Sequence, residues 1–204
     1  HSAFVVETMM DEIATSTGED PYAFRRALRD NAPRLAVVLD KVVAMAGWKQ
    51  PLAPGSAGSR RGRGLAVHES FGTYVAQVAE VTVHEDETFS VDRVFCAVDC
   101  GTVINPDMVR AQMEGGIAFG LGFLLQGISF SRGQVQQGNF NDYPVLRLNA
   151  MPEVHVEAIA STVAPTGVGE PGVPPAAPAV VNALAAITGQ RHRRLPLSPA
   201  LRML

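Results

Sequence analysis

Apolar residues recur at helical spacing from the first residues of the chain. Phe4, Val5, Met9, Ile13 and Ala14 fall within residues 3–17 and the pattern stops at Gly18, which predicts a first helix. Asp20-Pro21 reads as an N-cap followed by proline at the first helical position and opens a short second helix. Ala32-Pro33 opens a third, carrying Leu35, Val38, Leu39, Val42, Val43 and Ala46 inward as far as Gly47-Trp48. Residues 49–64 are rich in Pro, Gly, Ser and Arg, and the pattern predicts a flexible linker loop. Beyond it the composition turns to Val, Phe and Tyr. Residues 65–67, 74–83 and 89–98 predict strands, the last two forming a hairpin around His84-Glu85-Asp86-Glu87. Asn105-Pro106-Asp107 opens the longest helix, to about Gln126. A weak strand pair surrounds Arg132-Gly133, residues 153–159 form another strand, and an alanine-rich helix over 174–188 is stopped by Gly189. Helices, hairpin, helix, strand and helix follow one another with no regular βαβ alternation. That order predicts an α+β fold with helices packed on a mixed β-sheet, divided into a helical segment 1–48, the linker 49–64 and an α+β portion 65–204.

Charge excludes one class of partner. The formal net charge is -3, from 17 basic and 20 acidic residues, with no long run of either sign. Phosphate binding needs a concentrated basic face, so nucleic acid is excluded. The cluster Arg60-Arg61-Gly62-Arg63 reads as part of the solvated linker, and Arg191-His192-Arg193-Arg194 as cations facing the negative pole of the last helix. Cys96 and Cys100 lie four apart on an expected strand, about 13 Å between alpha carbons, too far for a disulfide. Without a second pair they are weak metal ligands and read as buried thiols. No apolar stretch reaches the ~20 residues that a membrane span needs. The chain opens His1-Ser2-Ala3-Phe4, already in helical pattern and without methionine, as if inside a longer polypeptide. Any targeting signal would then lie upstream, and the compartment stays open.

Three segments use residues that ordinary packing does not favour. In Ala111-Gln112-Met113-Glu114-Gly115-Gly116, two adjacent helical glycines cost about 1 kcal/mol each against alanine. With Gly120 and Gly122 they leave one helix face nearly bare, ready for close approach by another element or by a bulky ligand. Gln112, beside that face, offers two donors and an acceptor suited to a heterocycle edge. The second segment runs Pro165-Thr166-Gly167-Val168-Gly169-Glu170-Pro171-Gly172-Val173-Pro174-Pro175. This stiff loop carries one carboxylate into a helix. Glu170 is either a proton acceptor, its pKa raised in an enclosed apolar setting, or an acid that complements a helix dipole. Asn139-Phe140-Asn141-Asp142-Tyr143-Pro144 could wall a pocket or form a turn, and His68 and Glu69 lack the partner spacing of an acid–base pair.

Taken in order, these segments resemble the molybdenum hydroxylases, the family of xanthine dehydrogenase and aldehyde oxidase, and within it large (beta) subunits of the isoquinoline 1-oxidoreductase type. The resemblance also rests on Ala3-Phe4-Val5-Val6-Glu7, Ala66-Val67-His68-Glu69-Ser70-Phe71-Gly72, Cys96-Ala97-Val98-Asp99-Cys100-Gly101 and Asn105-Pro106. It implies the C-terminal portion of a molybdopterin-binding domain. Glu170 would be the catalytic base, and Gln112, Val168 and Gly169 would contact a molybdenum–molybdopterin cofactor, commonly in its cytosine dinucleotide form. The implied reaction takes oxygen from water. Glu170 removes a proton from a hydroxyl on molybdenum, and the oxygen attacks an electron-poor carbon of an N-heteroaromatic or aldehyde substrate. Electrons leave through iron–sulfur clusters on a small [2Fe-2S] subunit. The family's Gly-Gln-Gly loop and its Arg/Gly-rich segment are not found in this sequence. The remaining part of the large subunit is therefore an expected partner. The alternative is an isolated, non-catalytic fragment or interaction module.

Overall fold

Asp20 and Asn105 each begin a helix by accepting a hydrogen bond from a backbone N–H three residues on, Ala23 at 2.9 Å and Met108 at 3.1 Å. In the computed structural model, which describes residues 1–56, 58–197 and 203, these caps open α2 (Pro21–Ala27) and α4 (Pro106–Leu125). The other helices are α1 (Ser2–Ser16), α3 (Pro33–Met45) and α5 (Ala176–Thr188), the last closed by Gly189 in the left-handed region at φ 73°. A four-stranded sheet runs in the order β1 (Arg60–Ser70), β2 (Thr73–Val83), β3 (Phe89–Asp99) and β6 (Glu153–Ala158). Its first three strands are antiparallel and β6 joins β3 in parallel, so the sheet is mixed, as expected. The small pair β4 (Phe130–Ser131) and β5 (Gln134–Val135) turns through Arg132 and Gly133, both at positive φ.

Side chains alternate across the sheet and separate two cores. Val38, Leu39 and Val42 of α3 pack on Leu65, Val67, Ala76, Val78, Phe95 and Ala97. On the other face, Met113, Ile117 and Leu121 of α4 and Val180 and Leu184 of α5 pack on Ala66, Val75, Ala79, Cys96 and Val98. Cys96 and Cys100 are buried free thiols in this second core, and burial pushes the Cys96 thiol up to about 12. Among the described residues no helix is long and apolar enough to cross a membrane.

Three local expectations change. The basic cluster at the end of the expected linker is strand, because β1 begins at Arg60. Arg61 and Arg63 both reach Glu80, which is fully buried on β2 and also takes Arg93. Gly64 lets α5 lie directly on β1, since a Cβ there would sit 2.1 Å from the Ala179 carbonyl. Three guanidiniums around one buried carboxylate fix the segment that composition alone marks as solvated. In α1 the buried face holds Ala3, Glu7, Asp11 and Ala14, while Val5, Met9 and Ile13 are exposed. Polar burial wins there because Arg25, itself fully buried, binds Glu7 at 2.8 Å and Arg191 binds Asp11 at 2.7 Å. Arg191 and Arg193 thus pair with α1 carboxylates, Arg193 with Glu12, in place of the expected role at the end of α5.

Candidate active site

The bare face of α4 and the Gly/Pro loop meet. A Cβ on Gly116 would lie 3.2 Å from the Gly172 alpha carbon, and one on Gly120 would lie 2.8 Å from both the Val173 carbonyl and the Ala176 Cβ. Gly172 in turn rests on Met113, whose carbonyl is 3.2 Å from where a Gly172 Cβ would be. Half of the glycine face is therefore explained inside the chain: it admits the loop that leads into α5. The other half is open, since nothing lies within 4 Å of a Cβ at Gly115 or Gly122.

Gln112 is exposed on α4 beside that open half, and its Nε2 lies 4.0 Å from a Cβ position on Gly169. Two of the four expected site residues are thereby neighbours, although they are 57 positions apart in sequence. Val168 is half-buried and packs against the core on the α4–α5 side, so its side chain anchors the loop. Glu170 is exposed. Its backbone carbonyl accepts from Val173 N at 2.9 Å, which turns the chain toward α5. Among the described residues the side chains of Gln112 and Glu170 make no hydrogen bond or ion pair, and the N–H groups of Gly167, Val168, Gly169 and Glu170 donate to nothing. Consecutive unspent N–H groups beside the Gln112 amide suit a polar heterocyclic or anionic group. The enclosed apolar setting expected for Glu170 is not built by the described residues. They form one wall.

The other candidates separate from this wall. Asn139 to Pro144 is a turn, with Asp142 accepting from the N–H groups of Gly138 and Asn139 at 2.9 and 2.8 Å and with Phe140 exposed. Glu69 accepts from Gly72 N at 2.9 Å and closes the β1–β2 turn. Burial holds the His68 imidazole below its ordinary pKa, which suits a neutral structural ring. A cleft of about 520 Å³ lies elsewhere, between Trp48, Ala53, Arg61 and Arg63. Its two guanidiniums are committed to Glu80, Asp92 and the carbonyls of Gly47, Gln50 and Ala53, so its polar wall is structural.

Four residues around the loop were not singled out from the sequence. Thr73 and Gln77 of β2 bond to loop carbonyls, and Arg34 grips Asp99 beside the β3–α4 turn. A polar side chain at Gln77, on the same strand face as the buried Val75, Ala79, Val81 and Val83, is the signal that marks it.

With this geometry in view, the relatives are informative. Residues 38–152 match the model of the molybdopterin cofactor-binding domain. The chain belongs to that family, the cofactor-binding domains of the molybdenum hydroxylases. It is 43% identical over 200 residues to the beta chain of isoquinoline 1-oxidoreductase from Brevundimonas diminuta, covering 97% of this chain and 25% of that protein. It is 30% identical to one of the subunits of nicotinate dehydrogenase from Pseudomonas putida, over 97% of this chain and 18% of that protein. Its fold matches the aldehyde oxidoreductase of Desulfovibrio desulfuricans with a TM-score of 0.77 at 14% identity, over 98% of this chain and 39% of the other. The chain therefore spans about a quarter, or less, of the length of these two curated relatives.

Proposed function

We propose that this chain is the segment of a molybdenum hydroxylase catalytic subunit that supplies the general base, Glu170, and part of the cofactor contact, Gln112 with the backbone of Val168 and Gly169. The supporting observation is the approach of Gln112 to Gly169, the residue before Glu170, in a loop whose N–H groups from Gly167 to Glu170 have no partner among the described residues. When bound, the molybdenum cofactor, in the cytosine dinucleotide form that the family resemblance implies, supplies Lewis acidity and two-electron redox chemistry. Gln112 would donate to and accept from the pterin edge, which an exposed amide with no internal partner is free to do. The loop N–H groups would orient its polar atoms. Glu170 would accept the proton that the water-derived nucleophile gives up as it attacks a carbon of an N-heteroaromatic or aldehyde substrate. Identity of 43% to a protein named for isoquinoline supports the N-heteroaromatic class, and identity of 30% to a protein named as an aldehyde dehydrogenase supports the aldehyde class.

The remaining walls would come from the rest of the large subunit, with a small iron–sulfur subunit taking the electrons. On α4, Met108 and Phe119 flank Gln112 and are 59% and 66% exposed, an apolar surface suited to cover by further polypeptide. In the complete enzyme, Glu170→Gln should lower turnover by at least about 100-fold while molybdenum content stays intact. Turnover near the wild-type level would remove Glu170 from the base role. Gln112→Ala should lower molybdenum occupancy, and unchanged occupancy would count against that contact. The exposure of Glu170 also keeps the second reading, an interaction module without chemistry of its own. A Glu170→Gln variant that alters neither turnover nor any other step favours that reading.

A further inference from the structure

The loop that carries Glu170 is tied to the sheet on both sides of that residue. Thr102 N donates to Val163 O at 2.9 Å and Thr166 N to Cys100 O at 2.8 Å, which lays the start of the loop along the β3–α4 turn. Gly101 permits this, at φ 75° and with the Ala164 carbonyl only 2.2 Å from where a Cβ would be. Two side chains of β2 then take over. The Thr73 hydroxyl donates to Gly167 O at 2.7 Å and lies 2.6 Å from the Thr166 hydroxyl. Gln77 Nε2 donates to Gly172 O at 2.8 Å. Thr73 and Gln77 share one face of a central strand, four positions apart, and both are fully buried. Their two acceptors bracket Glu170, one before it and one after.

Packing alone gives little reason for Gln77. Its Oε1 is buried and has no partner among the described residues, beside Cys96 in the β2–β3 register. An apolar side chain would fill the same space without stranding an acceptor. What the amide adds is a fixed point for the loop just after Glu170, as the Thr73 hydroxyl adds one just before.

We propose that Thr73 and Gln77 are positioning residues that hold Glu170 in register with the reacting atoms, an inference that rests on the assignment of Glu170 as the base. A short loop pinned to a central strand at both ends keeps its carboxylate within the narrow range that proton transfer tolerates. A displacement of about 1 Å can cost about 100-fold in rate.

The test uses the complete enzyme and two readouts. Hydrogen exchange, measured with and without cofactor, should show the amides of Thr166 and Val173 exchanging at least about 10-fold faster in Thr73→Val/Gln77→Leu, with the β2–β3 ladder unchanged. In turnover, kcat should fall by about 100-fold and KM change by less than about twofold. Thr73→Ser, which keeps the hydroxyl, should restore both readouts where Thr73→Val does not. Unaltered exchange, wild-type kcat in the double variant, or equal loss in Thr73→Ser and Thr73→Val would each overturn the proposal. If the Gln77 variant fails to fold, the Thr73→Val and Thr73→Ser pair decides alone, because Thr73→Val keeps the shape without the hydroxyl and Thr73→Ser keeps the hydroxyl. Glu170→Gln run in parallel separates the two ideas. An active Glu170→Gln defeats the base assignment, whereas an inactive one beside an active double variant defeats only the positioning role.

Discussion

Asp99 ends β3 and faces three donors at once. Arg34 Nε and Nη2 bind its two oxygens at 2.8 and 2.7 Å, and Gly101 N donates to Oδ1 at 3.0 Å. The Arg34 guanidinium, seconded by that N–H, holds the carboxyl below its ordinary value although burial pulls the other way. A depressed carboxyl pKa stabilises the folded chain fully above the unfolded value of about 3.9 and loses that contribution as pH falls through the folded value. Asp99→Asn should therefore destabilise the chain by about 1.5–3 kcal/mol at pH 7, the scale of hydrogen bonds to a charged group. The gap should shrink by about pH 3, and urea midpoints at the two pH values measure it. A gap equally wide in acid would mean that the charge of Asp99 contributes nothing. The same scale explains why the site was only partly legible. Gln112 and Glu170 stand out through their glycine neighbours, whereas the partners that give Thr73 and Gln77 their role lie 94 and 95 positions away and meet them only in the folded chain.

At the scale of elements, α4 separates two meanings of glycine. Gly120 is met by the Val173 carbonyl and the Ala176 side chain, whereas Gly122 meets nothing. Gly122→Ala should gain roughly the 1 kcal/mol that helix propensity offers. Gly120→Ala adds the same propensity but drives a methyl against backbone, at a cost of about 1–3 kcal/mol, and should be neutral to destabilising. Denaturant unfolding of both variants gives the comparison, and equal stabilisation would refute the close packing of α4 on the loop. α1 carries the opposite lesson. Its apolar spacing predicts a helix correctly, yet its buried face holds Glu7 and Asp11. Periodicity reports that a helix forms, and partners outside the helix decide which side turns inward.

Across the whole molecule, one buried residue, Glu7, joins four elements through its carboxylate and its backbone carbonyl. Glu7 of α1 accepts from Arg25 of α2 at 2.8 Å and from Val67 N at 3.1 Å, on the unpaired edge of β1. Asn182 of α5 donates to the Glu7 carbonyl at 3.2 Å and to Leu65 O at 3.0 Å on that same edge. The network blunts a long edge strand that would otherwise offer free backbone groups. Glu7→Ala leaves the buried Arg25 charge with only the longer contact to Asp11, at 3.7 Å, and should cost about 3–5 kcal/mol, read from chemical denaturation. A loss under about 1 kcal/mol would show that solvent or a neighbour replaces the carboxylate.

The amino-acid order by itself determined where the helices begin and where most strands lie, because caps, prolines, glycines and hydrophobic period act over a few residues. It also marked Gln112 and Glu170, the amide and the carboxylate of the proposed site. Only the folded chain decided that Arg60 to Arg63 belong to a strand, that α1 buries its acids, and that Gly169 comes to lie beside Gln112. Those outcomes depend on charges and backbone groups brought together from distant parts of the sequence, and no local pattern encodes such meetings.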